Sequence, residues 1–247
     1  MNALAVSPLR SLRVVAMHLV LNATLIVAGS YWLLIPEAHV GQLGFSALSA
    51  LLMCCIFLWL HSGTIVYAAR QDFKDAFSIK PIRWLSLFLG LAVLIWLMHR
   101  VDIVASSQWQ IGGYLYSKAP SWLRPTHGST AYVHGVRYLL SIVMWYILPG
   151  LILPVTAARV IGSELKLAFR AFVSWRYWLT LALIAFLGVW LVKILLSWTP
   201  GVTLHQQTVG LATRLTLAYA AATSAWLLTI GLLARSISLP SAASEQR

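Results

Sequence analysis

Acidic side chains are scarce. The 247 residues hold six Asp and Glu against 18 Lys and Arg. The six are Glu37, Asp72, Asp75, Asp102, Glu164 and Glu245, scattered and never inside a long apolar run. Acid–base catalysis within a membrane, or a carboxylate proton pathway, would need an embedded carboxylate. Cysteine is nearly absent too: Cys54 and Cys55 are neighbours in an apolar stretch, which excludes a disulfide framework and offers no metal-ligand spacing. Neither His-Glu-x-x-His, Gly-x-Ser-x-Gly nor a P-loop lysine pattern occurs. No catalytic motif and no cofactor signature are present, so the expectation is a protein that is not an enzyme and carries no cofactor. Charged residues of both signs make up only 10% of the chain, too few to cover a soluble domain of this length.

What fills the sequence is apolar. Hydrophobic residues reach 60%, gathered in runs close to the ~20 residues that cross a bilayer core. The expected fold is an all-α integral membrane protein with six transmembrane helices at 14–35, 43–69, 82–98, 136–158, 177–198 and 208–233. They form one domain over 14–235, between a cytoplasmic tail at 1–13 and a flexible cytoplasmic tail at 236–247, with Arg235 stopping the last span. The first run is too long for a signal-peptide core, so it is read as an uncleaved helix. Residues 101–135 form the longest connection. They are rich in Trp and Tyr, which argues against disorder and for an aromatic outer loop that lies on the membrane surface or caps the helices.

The net charge of +12 asks for anionic partners. The basic residues sit in short blocks at span ends, which favours anionic lipid head groups over nucleic acid. With the N-terminus inside, inner segments carry Arg10, Arg13, Arg70, Lys74, Lys80, Arg83, Arg159, Lys166, Arg170, Arg176, Arg235 and Arg247. Outer segments carry Arg100, Lys118, Arg124 and Arg137. Twelve against four places both termini in the cytoplasm. A membrane-protein partner or a second copy of the chain remains open.

Residues 157–198 organise the chain. A basic piece, Glu164-Leu165-Lys166-Leu167-Ala168-Phe169-Arg170-Ala171-Phe172, places Ile161, Leu165, Phe169 and Phe172 at helical spacing. This predicts an amphipathic helix lying in the inner interface. An earlier stretch echoes it. Ala68-Ala69-Arg70 parallels Ala157-Ala158-Arg159, and Trp84 and Trp96 fall over Trp178 and Trp190. A parallel repeat and a chance match in a Leu- and Trp-rich chain both fit.

The segment Leu167-Ala168-Phe169-Arg170-Ala171-Phe172-Val173-Ser174-Trp175-Arg176-Tyr177-Trp178 resembles a loose bacterial superfamily of six-span proteins. That superfamily includes the membrane domain attached to some glycerophosphodiester phosphodiesterases. The resemblance covers mainly residues 157–233. It implies a multi-pass protein of the bacterial cytoplasmic (inner) membrane, and it brings no catalytic motif.

Within the spans, Arg214 is the foremost candidate. It lies about 10 Å into span six and shares a face with Ala218, Ala221, Ala222 and Ala225. It contacts an anion or lipid phosphate, snorkels outward, or pairs structurally, with Glu37, Asp102 or carbonyls freed around Pro149 as candidate partners. Lys193 is a second candidate for anion or lipid contact, in a bulky setting that suits snorkelling. His18 and Asn22 share a face and suit a bond across helices, while His61 reads as packed and hydrogen bonded. Pro149, Gly150 and Pro154 form a candidate hinge or a fixed kink. Two functions follow: a scaffold or accessory subunit binding lipid or membrane partners, and a small permease or channel-like transporter for an anionic solute or lipid using Arg214 and the Pro-kinked fourth span.

Overall fold

The computed structural model describes residues 11–36, 39–124, 128–198, 201 and 203–238. It is 89% helical, with no strand among the described residues. Six helices are long and apolar enough to cross a membrane. We label them with the shorter helices in chain order: α1 Leu12–Trp32, α2 Val40–Arg70, α3 Phe73–Ala76, α4 Pro81–Ser106, α5 Gln108–Lys118, α6 Thr130–Ile161, α7 Leu165–Val173, α8 Trp175–Ser197 and α9 Leu204–Ser238. All six expected spans are present. Two differences concern where the helices end.

The first concerns the expected aromatic loop. Residues 101–106 continue α4, and 108–118 form α5, so this part of the connection is helix. Gln108–Lys118 contains no proline, and the helix ends where Pro120 forbids another turn. The second concerns the C-terminus. Arg235 does not stop α9; its side chain stays exposed while Leu233, Ala234 and Ile237 remain buried on the opposite flank.

By contact the chain divides into two compact units, residues 1–88 with 154–247, and residues 89–153. In the first unit α9 is the central element. Half of its apolar window is buried, against at most 17% in any other span. It packs against α1, α2, α7 and α8. The alanine face explains how closely: Ala218 and Ala225 are buried, and a Cβ on Gly188 of α8 would come within 2.8 Å of the Ala225 Cβ. Small residues let backbones approach, the main route to tight helix pairing in lipid.

Two connections of the first unit are built alike. α2 ends with Gln71 at φ 59°, and α6 ends with Gly162 at φ 78°. Both use the left-handed turn that closes a helix. Each is followed by a short helix, α3 or α7. The two corners touch where Arg70 Nη2 donates to the Ile161 carbonyl at 2.6 Å. Asp75 gathers the cations of the first corner, accepting from Arg70 at 3.2 Å, from Arg83 at 3.0 Å and from Lys80. The hydrogen bonds from Lys80 and Arg83 hold its carboxyl down at about 2. Arg13 lies over the Phe73 ring at 5.1 Å, so the start of α1 sits at this same end. α7 turns Ala168 and Ala171 inward and leaves Lys166 and Arg170 outside, whereas Leu165 and Phe169 of the apolar face read from the sequence are exposed.

In the second unit α5 packs along α6. A Cβ on Gly112 would meet the Val133 backbone at 2.8 Å, so only glycine permits this approach. α6 contains a wide π-turn at Val143–Ile147, closed by Leu148 N–H on the Val143 carbonyl. Pro149 follows it directly. In a regular helix its ring would press on the Trp145 carbonyl, and a wider turn relieves that clash. α8 carries a second π-turn at Phe186–Leu191.

Candidate functional site

The polar groups buried deepest in the first unit come from α1 and α2. His18 and Thr64 are fully buried, and His61 is 5% exposed. Thr64 Oγ1 donates to the Leu60 carbonyl at 2.7 Å, the usual outlet for a threonine within a helix. Its lone pair then accepts from His18 Nε2 at 2.7 Å. His18 Nδ1 in turn accepts from Asn22 Nδ2 at 3.3 Å. Every nitrogen of His18 is satisfied, and the bond across helices expected of this face is made to α2. From α9, Tyr219 O–H points at α1 and donates to the Leu19 carbonyl at 2.7 Å, with the His18 carbonyl at 3.2 Å.

His61 differs. Trp226 Nε1 of α9 donates to its Nδ1 at 2.7 Å. An indole N–H is only a donor, so Nδ1 must hold a lone pair. An imidazolium would set two N–H groups against each other across that distance. The ring is therefore neutral with its proton on Nε2. That Nε2 has no hydrogen-bond partner among the described residues, although it is shielded from solvent. Leaving a buried donor unsatisfied costs about 1–3 kcal/mol. The sequence reading of His61 as packed and hydrogen bonded holds for one nitrogen and not for the other.

His61 lies at the edge of a groove of about 410 Å³ lined by Asn22, Leu25, Ile26, Phe57, Tyr219, Ala222, Thr223 and Trp226. The lining is overwhelmingly apolar. Phe57, one turn before His61 on α2, leans over the imidazole with ring centres 4.1 Å apart, and Trp226 meets it edge-on at 5.4 Å. The wall of the groove is thus aromatic on two sides, with the shielded His61 Nε2–H and the Asn22 amide beside it.

The residues singled out from the sequence lie elsewhere. Arg214 is partly exposed, and its Nη1 donates to the Trp198 carbonyl at the end of α8. A guanidinium there satisfies a carbonyl left over by the helix end and meets the negative end of its dipole. Glu37 lies outside the described residues. Lys193 is exposed on α8. Pro149, Gly150 and Pro154 lie within α6, which continues through all three to Ile161. Cys54 and Cys55 line neither groove, and no cluster of His, Cys, Asp and Glu able to hold a metal occurs among the described residues.

Phe57, Tyr219 and Trp226 escaped the sequence reading. Their signal was available: Tyr219, Thr223 and Trp226 share one face of α9 in mid-span, where polar-tipped aromatics are unusual away from the interfaces. The second unit has a cleft of about 530 Å³, lined by Trp122, Arg124, Tyr132 and neighbouring apolar residues. There Arg124 donates to the Ala119 and Ser117 carbonyls at 2.8 and 3.0 Å, and Tyr132 O–H donates to the Leu123 carbonyl at 3.1 Å. Comparison with family models, curated proteins and solved structures finds no match to this chain.

Proposed function

We propose that this chain is a non-enzymatic binding protein of the bacterial cytoplasmic membrane, an accessory or scaffold subunit that holds a lipid-phase ligand between α1, α2 and α9. The groove beside His61 carries the reading. It is large enough for a ring and a few carbons of tail, almost wholly apolar, and placed mid-span, where the surrounding medium is hydrocarbon. The polar groups beneath it bond mainly to one another and to backbone, an arrangement that fixes helices rather than one that moves protons. The positive-inside bias supports cytoplasmic termini, with the basic corner around Asp75 facing anionic head groups. The anion-permease alternative leaned on Arg214, whose guanidinium is engaged by the Trp198 carbonyl.

The test is retention of a small molecule. Protein purified in mild detergent should release about one equivalent of an apolar compound on solvent extraction, measured by mass spectrometry. Ala222→Trp fills the groove from α9 and should release none. Identical extracts from both proteins would remove the groove as a binding site.

A further inference from the structure

We infer that the groove takes a quinone-type molecule, an uncharged lipid with a planar carbonyl head and an apolar tail, whose carbonyl oxygen accepts from His61 Nε2–H. This rests on the binding reading above and specifies its ligand. Three observations converge on it. The first is the sign of the polar group. Trp226 fixes the imidazole tautomer, so His61 presents a donor and needs an acceptor. Neither an anion nor a cation suits the site, because its lining supplies only neutral polar groups, the Asn22 amide and the Thr223 hydroxyl among them, and no charged side chain.

The second is depth. His61 lies nine residues before Arg70 on α2, about 13 Å along the axis from the basic end. Half the thickness of a bilayer core is about 15 Å, so the imidazole sits near mid-membrane. The ester carbonyls of a phospholipid are tethered at the interface by a polar head group. An oxygen offered at this depth must belong to a molecule without one.

The third is the wall. Phe57 and Trp226 flank the imidazole, and Tyr219 lines the same groove. Flat aromatic faces favour a planar conjugated head over flexible acyl chains, through stacked or edge-on contacts. The Phe57 ring now covers His61, and a rotation of that side chain would bring a carbonyl within reach of Nε2. Phe57 is exposed on its other side, so the movement is into lipid rather than into packed protein.

The experiment uses the full chain in phosphatidylcholine nanodiscs, titrated with decylubiquinone carrying a carbon-13 label at its carbonyls. The readouts are saturable binding and the infrared carbonyl stretch. In the parent protein a saturable fraction of the label should show a carbonyl band shifted to lower frequency. His61→Asn retains an oxygen where Nδ1 accepts from Trp226 and deletes the Nε2 donor. It should fold, lose the shifted band and weaken binding about tenfold, the effect of one hydrogen bond. His61→Gln keeps an N–H near the Nε2 position and should retain part of the shift. Ala222→Trp should abolish saturable binding. A band and affinity unchanged in His61→Asn would overturn the assignment. Saturable binding of dioleoylglycerol but not of the quinone, lost in Ala222→Trp, would overturn the quinone while leaving a lipid groove. If neither compound binds saturably, the groove reading falls with it.

Discussion

The groove beside His61 and the cleft beside Arg124 are of similar volume and similarly apolar, yet their polar groups are used differently. In the cleft of the second unit, the Arg124 guanidinium closes the carbonyl end of α5 and the Tyr132 hydroxyl closes the turn at Leu123. Its polar atoms act as local staples. In the groove of the first unit one buried donor, His61 Nε2–H, is left over among the described residues. Size and lining are therefore poor guides to a binding site in a membrane protein, where most surface is apolar anyway. An unmet hydrogen-bonding group is more telling, because hydrocarbon offers it no substitute.

Four substitutions test this contrast. The largest effect is expected from Thr64→Val, which strands the His18 Nε2–H as a second unmet donor under the groove. It should cost about 1–3 kcal/mol, read as a lower thermal midpoint in detergent. A midpoint equal to that of the parent would mean that buried donors are tolerated here and would weaken the case built on His61. Gly112→Ala acts on the other unit. Its new Cβ meets the Val133 backbone, and overpacking of this kind costs about 1–3 kcal/mol. Faster hydrogen exchange in 108–123, with retention of the groove compound unchanged, would show that the two sites are energetically separate.

Asp75→Asn tests whether the groove responds to damage elsewhere in its own unit. The folded carboxyl lies at about 2, below its ordinary 3.8, so its contribution is complete above about pH 4 and is lost as pH falls toward 2. The variant should melt lower than the parent at pH 6. The gap between the two should close on acidification through that window, with ligand retention at pH 6 unaffected. The smallest effect is expected from Arg124→Met. It removes two bonds from a partly exposed guanidinium, costs up to about 1 kcal/mol and leaves the groove untouched. A larger loss would show that the Arg124 cleft depends on its staples more than the comparison allows.

The spans were legible because hydrocarbon thickness sets their length and little else competes. Their ends were less so. Hydropathy placed the end of the third span at 98 and the start of the fourth at 136, whereas α4 runs to Ser106 and α6 begins at Thr130. Helices continue through polar residues until a proline or a left-handed turn stops them, as Pro120 and Gly162 do. The cationic excess was legible as an interfacial signal, but not what individual arginines do. Arg70, Arg124 and Arg214 each cap the carbonyl end of a helix, and two of those helices are distant in sequence or in another segment. Arg214 drew attention by its depth, and its partner proved to be backbone. His61 looked ordinary because its unmet nitrogen depends on Trp226, 165 residues away. A property defined by which atom lacks a neighbour is invisible until the neighbours are placed.

The π-turn at Phe186–Leu191 has a consequence for how α8 meets its surroundings. One surplus residue in a turn advances the screw of everything beyond it by about 100°, the step per residue of a regular helix. Val192 to Ser197 therefore present a compass bearing that a wheel drawn from Trp175 would misassign. Removing one residue from that turn would barely alter the span's greasiness or its reach, yet it would swing Lys193 to a new heading. The orientation of that lone ammonium is set by an indel-sized detail one turn away, not by its own neighbours.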